Sequence, residues 1–89
     1  MSLENWRQPD KVRALLERVQ TAEKSGTLAT SADLRTLSWS SDQELLSLLD
    51  ELASAGYLLG RPHPGNDEHF FEYSELRLGS RGKAALADE

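Results

Sequence analysis

The chain is 89 residues long, with 38% hydrophobic and 28% charged residues, the proportions of one small folded domain and not of a disordered segment. It has no cysteine, which excludes disulfides and thiolate metal sites, and no apolar run long enough to cross a bilayer, so no membrane partner is expected. Fifteen acidic against ten basic residues leave a net charge of −5, an unfavourable balance for a nucleic-acid binder, whose affinity needs clustered cations.

No charged-then-apolar leader opens the chain, and a cytoplasmic address is expected. Met1, Ser2 and Leu3 carry no readable signal. Residues 1–89 read as one domain, the first eight forming an extended segment or a dimer contact. Trp6 in that segment either caps the core from outside or packs on a second subunit. Pro9 and Asp10 suit the first turn of a helix, where proline lacks no needed donor and a carboxylate meets the positive end of the dipole. Val12, Leu15, Leu16 and Val19 then recur at helical spacing, and Lys24 with Gly26 marks the end, so the first helix is expected over Pro9 to Lys24.

Thr27, Leu28 and Ala29 are too few for an independent strand but suit pairing with a later hairpin. Thr30 and Asp33 have the spacing of a capping box, with Asp in place of the usual Glu. A second helix is expected from Ser31 to Leu37, burying Leu34 and Leu37, and Ser38, Trp39 and Ser40 form the break after it. Ser41 with Glu44 is a better capping box and opens the strongest helix, Asp42 to Ala55, stopped by Gly56. Leu45, Leu46, Leu48, Leu49, Leu52 and Ala53 fall on one side of it. Gln43, Glu44, Ser47, Asp50, Glu51 and Ser54 fall on the other.

Tyr57 to Arg61 reads as a strand, and residues 62–67 are dense in turn formers. His69 to Leu78 reads as the returning strand. Phe71 and Tyr73 are out of phase with Leu76 and Leu78, which predicts a bulge or bend near Ser74. Ser80 is placed to cap a short last helix through Leu86.

Two stretches carry a family resemblance. Leu37-Ser38-Trp39-Ser40, followed by Leu45, Leu49, Leu52 and Gly56-Tyr57-Leu58, resembles the turn and third helix of winged-helix regulators. Leu78-Gly79-Ser80-Arg81-Gly82 with Leu86 resembles their Leu-Thr-x-x-Gly-x-x-x-Leu ending, with Gly79 where the family has a capping Thr. The resemblance implies an α+β winged helix-turn-helix: a three-helix core, a β-hairpin wing and a short C-terminal helix. It also implies a transcription-regulator-like module that contacts duplex DNA as a homodimer, an expectation resting on fold analogy.

The residues pull in two directions on the partner. The exposed face of the third helix, which in such proteins enters the major groove, offers Gln43, Ser47 and Ser54 as polar readers but holds no Lys or Arg. Arg61, Arg77, Arg81 and Lys83 in the wing and its exit, with Arg35 near them, are the cations suited to phosphate or minor-groove contact. Asp67, Glu68, Glu72 and Glu75 are interleaved with them, as in solvated mixed-charge surface. The alternative is a protein-interaction or dimerisation module in which Glu44, Asp50 and Glu51 face a basic partner and Trp6 serves a dimer contact. His63, Asp67, Glu68 and His69 match no common zinc spacing and read as turn residues. Ser25, Ser31, Ser40, Ser41 and Ser80 have capping or turn duties, and none has the context of a nucleophile. No enzyme, metal or cofactor is expected.

Overall fold

The computed structural model describes residues 3, 6–65 and 69–87. They form α1 (Pro9–Lys24), α2 (Ser31–Leu34), α3 (Asp42–Ser54), β1 (Leu58–His63), β2 (Glu72–Leu78) and α4 (Ser80–Ala87), an α+β arrangement of four helices and one antiparallel hairpin. Among the described residues no helix is long and apolar enough to cross a membrane.

The long helices follow their sequence signals. α1 starts on Pro9 and buries Val12, Leu15, Leu16 and Val19. Both α1 and α3 end in the same way, with Gly26 and Gly56 in the left-handed region at φ +82° and +84°. The amide two residues past each cap returns to the last turn, Thr27 to Ala22 and Tyr57 to Leu52, which satisfies carbonyls the helix leaves open. The α3 face of Leu45, Leu46, Leu49 and Leu52 is fully buried, whereas Leu48 and Ala53 are only partly covered.

The second helix is shorter than its expected span. Leu37 turns back on the Leu34 carbonyl in a tight three-residue step, and the Trp39 indole nitrogen donates to that same carbonyl at 2.7 Å. With its terminal acceptor taken, α2 ends at Leu34, and residues 35–37 form a turn. The capping box at its start is complete: Thr30 Oγ accepts from the Asp33 amide, and the Asp33 carboxylate accepts from the Thr30 amide at 3.0 Å. Asp is therefore long enough to close the box here. At α3 only half of the expected box forms. Ser41 Oγ accepts from the Glu44 amide, but the Glu44 carboxylate accepts from the Ser40 amide and from Lys11.

The hairpin carries the predicted irregularity. Leu59 pairs with Arg77 and Arg61 pairs with Ser74, so Gly60 faces two residues, Glu75 and Leu76. Glu75 absorbs the extra residue at φ +52°. The shift is what lets Tyr73, Leu76 and Leu78 all enter the core despite the odd spacing between the first two. β1 runs further than expected, through Pro62 to His63; it is an edge strand, where a proline is tolerated. β2 starts at Glu72 and not at His69, leaving Phe71 before it and 53% exposed. Ala29 bridges to Leu76, whose amide donates to its carbonyl at 2.9 Å, so the short segment after α1 does pair with the hairpin.

Two anchors were not expected. Ser31 is buried, and its hydroxyl both donates to the Tyr73 carbonyl and accepts from the Tyr73 amide, tying α2 to the outer edge of β2. Its role is therefore not capping, which belongs to Thr30. Leu3, which gave no signal in the sequence, is 1% exposed and part of the core. Ser80 is the first residue of α4 and not its cap; the Gly79 carbonyl before it accepts from the Lys83 amide.

Candidate functional site

A large recess lies beside α3. Glu44, Leu48, Glu51 and Ala55 stand three or four residues apart and form one stripe of the helix, flanking its buried face. Opposite them run Trp6, Arg7 and Gln8, the segment leading into α1. Between these walls is an open groove of about 610 Å³, with Val12 and Tyr57 in its lining and Arg81 of α4 at its far end. The Trp6 ring stands edge-on to Tyr57, with centroids 5.3 Å apart and planes at 88°, so the arm is held by an aromatic contact as well as by buried Leu3. Trp6 packs, partly buried, against the core of its own chain.

The near end of the groove is electrostatically ordered. Lys11 reaches from α1 to Glu44 at 2.9 Å and lies over the Trp39 ring at 5.7 Å. That ammonium first, and then the Ser40 amide, holds the Glu44 carboxyl below its usual range. Glu51 lies further along the wall, next to half-buried Ser47. Asp50 and Gln43 are exposed on a different part of α3 and do not line the groove. The charge of Asp50 is felt instead by Tyr73, whose phenol is pushed up by burial and then by Asp50. Asp50 and Glu51, grouped by the sequence as one acidic face, thus serve two neighbourhoods.

The five expected phosphate-binding cations are not a single patch. Arg35 donates through Nε and Nη2 to the two oxygens of Asp42, at 2.5 and 3.1 Å, and through Nη2 to Glu72 at 2.6 Å. Asp42 first and then Glu72 raise its pKa, so the guanidinium is a structural clasp between the α2–α3 turn and the hairpin. Arg61 pairs with Glu75 at 3.1 Å across the bulge, an exposed and therefore weak ion pair. Only Arg77 and Lys83 are brought together, in a shallow recess with Glu23, Leu28 and exposed Leu59. Glu23 there accepts from the Leu78 amide at 3.1 Å. Arg81 lies elsewhere, with its aliphatic stem over Gly56, and lines the α3 groove.

Other candidates carry less. Asp67 and Glu68 of the histidine-containing turn lie outside the described residues, and among the described residues no three metal-ligating side chains gather. Phe71 and Leu59 are the exposed large hydrophobic side chains and are contributed by different strand ends. The groove itself was missed in the sequence because Leu48 reads as core. The available signal was the spacing: Leu48 and Ala55, seven residues apart, alternate with Glu44 and Glu51, also seven apart. No known protein family, curated protein or solved structure matches this chain.

Proposed function

We propose that the chain is a non-enzymatic winged-helix module that acts by binding a protein partner along the groove between α3 and the Trp6 arm. The order of elements supports the winged-helix reading: three helices, a hairpin wing that pairs with the segment between α1 and α2, and a closing helix. The observation that carries the protein-binding reading is the composition of the groove. Trp6, Leu48 and Ala55 offer half-buried apolar surface, over buried Val12 and Tyr57, beside the helix that a DNA-binding winged helix would use, and that wall carries Glu51 and the Lys11-paired Glu44. Carboxylates facing a phosphate backbone are repelled, whereas an apolar anchor flanked by charges is the usual chemistry of a protein contact.

The DNA reading keeps the adjacency of Arg77 and Lys83 and the presence of Arg7 and Arg81 in the groove. Each of these pairs shares its recess with a carboxylate, Glu23 or Glu51, and Arg35 and Arg61 are already paired, a weak set for a duplex site. A mobility-shift titration against a mixed-sequence duplex at low salt is expected to give no complex at micromolar protein. A complex that weakens steeply with salt and with Arg77→Ala or Lys83→Ala would contradict the protein-binding reading and restore the DNA one.

A further inference from the structure

The ion pairs of this domain take up one charge of its groove, Glu44, and leave out three others. Lys11 holds Glu44, Arg35 holds Asp42 and Glu72, and Arg61 holds Glu75. Arg7, Glu51 and Arg81 all line the groove, and no ion pair joins any of them to another described residue. They surround an apolar floor and carry both signs: a carboxylate on the α3 wall, and guanidinium groups on the arm and at the α4 end. From Glu44 to Ala55 the wall is about 16 Å long, room for about five residues of extended chain or three turns of helix. That length suits a segment and exceeds what one side chain fills.

The arm supplies rigidity. Trp6 is fixed against Tyr57 and preceded by buried Leu3, so the aromatic wall is pre-formed. We infer that the groove receives a segment of a protein partner carrying one large apolar side chain for Trp6, Leu48 and Tyr57, an acidic residue for Arg7 and Arg81, and a basic residue for Glu51. The inference rests on the protein-binding reading above and adds to it the chemistry of the partner. Its basis is charge complementarity: an occupant of single sign leaves either Glu51 or the two arginines facing a like charge at the rim of an apolar contact.

Three terminally blocked ten-residue peptides test it, sharing one Phe anchor and flanked by Lys and Glu, by two Lys, or by two Glu. Binding to the whole chain is followed by NMR at the Trp6 indole N–H. The mixed peptide is expected to bind about three- to fivefold more tightly than either single-sign peptide, the scale of exposed ion pairs. Glu51→Lys is expected to move the preference to the doubly acidic peptide, and Arg81→Glu to the doubly basic one. Both sites are exposed, and the spread of amide resonances verifies that each variant stays folded. Equal binding of all three peptides to the unaltered chain, or variants that do not reorder them, would overturn the inference while leaving an apolar protein-binding groove in place. No binding of any peptide at millimolar concentration would also overturn it. The protein-binding reading fails separately, by the duplex titration.

Discussion

Gly82→Ala is expected to destabilise the fold by about 2 kcal/mol or more, although a glycine-to-alanine change inside a helix ordinarily adds about 1 kcal/mol of stability. Gly82 is the third residue of α4, where propensity alone favours alanine. Its Cα lies against the backbone at the end of α3, and a methyl group there would overlap the Tyr57 carbonyl oxygen and press on Leu78. The closer neighbour is backbone and the Leu78 methyl is buried in the core, so relief requires α4 to move off the hairpin. That would strain the hydrogen bonds that seat it, from the Gly79 amide to the Tyr57 carbonyl at 2.9 Å and from the Arg81 amide to the Gly56 carbonyl at 3.3 Å. For a domain of this length the change corresponds to a fall in Tm of roughly 8–16 °C. Lys83→Ala, one residue further along and exposed, serves as the control and is expected to stay within about 0.5 kcal/mol of the parent. Thermal unfolding of the two variants side by side checks the prediction. A Gly82→Ala variant as stable as the parent would mean that α4 is not seated this closely.

Ser31→Ala is expected to cost about 2–3 kcal/mol, more than the loss of an exposed helix cap. The Ser31 hydroxyl is the partner of both backbone groups of Tyr73, accepting from its amide at 2.7 Å and donating to its carbonyl at 3.0 Å. Removing one oxygen leaves a buried donor and a buried acceptor without partners at the edge of β2, and alanine fills nearly the same space, so desolvation dominates the cost. Ser41→Ala provides the scale. Ser41 is exposed and caps α3 through the Glu44 amide, a role that typically contributes about 1 kcal/mol. Urea titrations are expected to rank Ser31→Ala well below Ser41→Ala in midpoint. The reverse order would show that water replaces the Ser31 hydroxyl without penalty.

Much of the architecture could be read before the structure because it is written in local terms. α1 and α3 are encoded by the spacing of their leucines and by Gly26 and Gly56, and both follow closely. The bulge was visible as a phase error between Tyr73 and Leu76, since both must be buried on one face. What escaped sequence reading depends on contacts between distant residues. α2 stops early because the indole of Trp39, five residues downstream, occupies the Leu34 carbonyl. Leu3 enters the core although nothing in its neighbours marks it.

The candidate site shows the same division. Arg35, Arg61, Arg77, Arg81 and Lys83 are adjacent in sequence pattern, yet only Arg77 and Lys83 come together, because the first two are claimed by carboxylates on β2 and α3 and Arg81 turns toward α3. Glu51 and Asp50 are neighbours in the chain and face different surroundings, one the groove and the other Tyr73. Periodicity assigns a residue to a helix face; it does not say that an N-terminal arm will lie along one border of that face.

The working surface proposed for this domain lies along α3 and the Trp6 arm. Site-specific photo-cross-linking addresses it most directly, with a benzophenone side chain placed at Ser47 or Ala55 in the groove and, for comparison, at Arg77 or Lys83 in the other recess. In cells making the full chain, the two groove positions are expected to yield a discrete protein adduct that disappears on Leu48→Arg, and the other two positions are expected to yield none. Adducts confined to Arg77 and Lys83, or groove adducts indifferent to Leu48→Arg, would contradict the account.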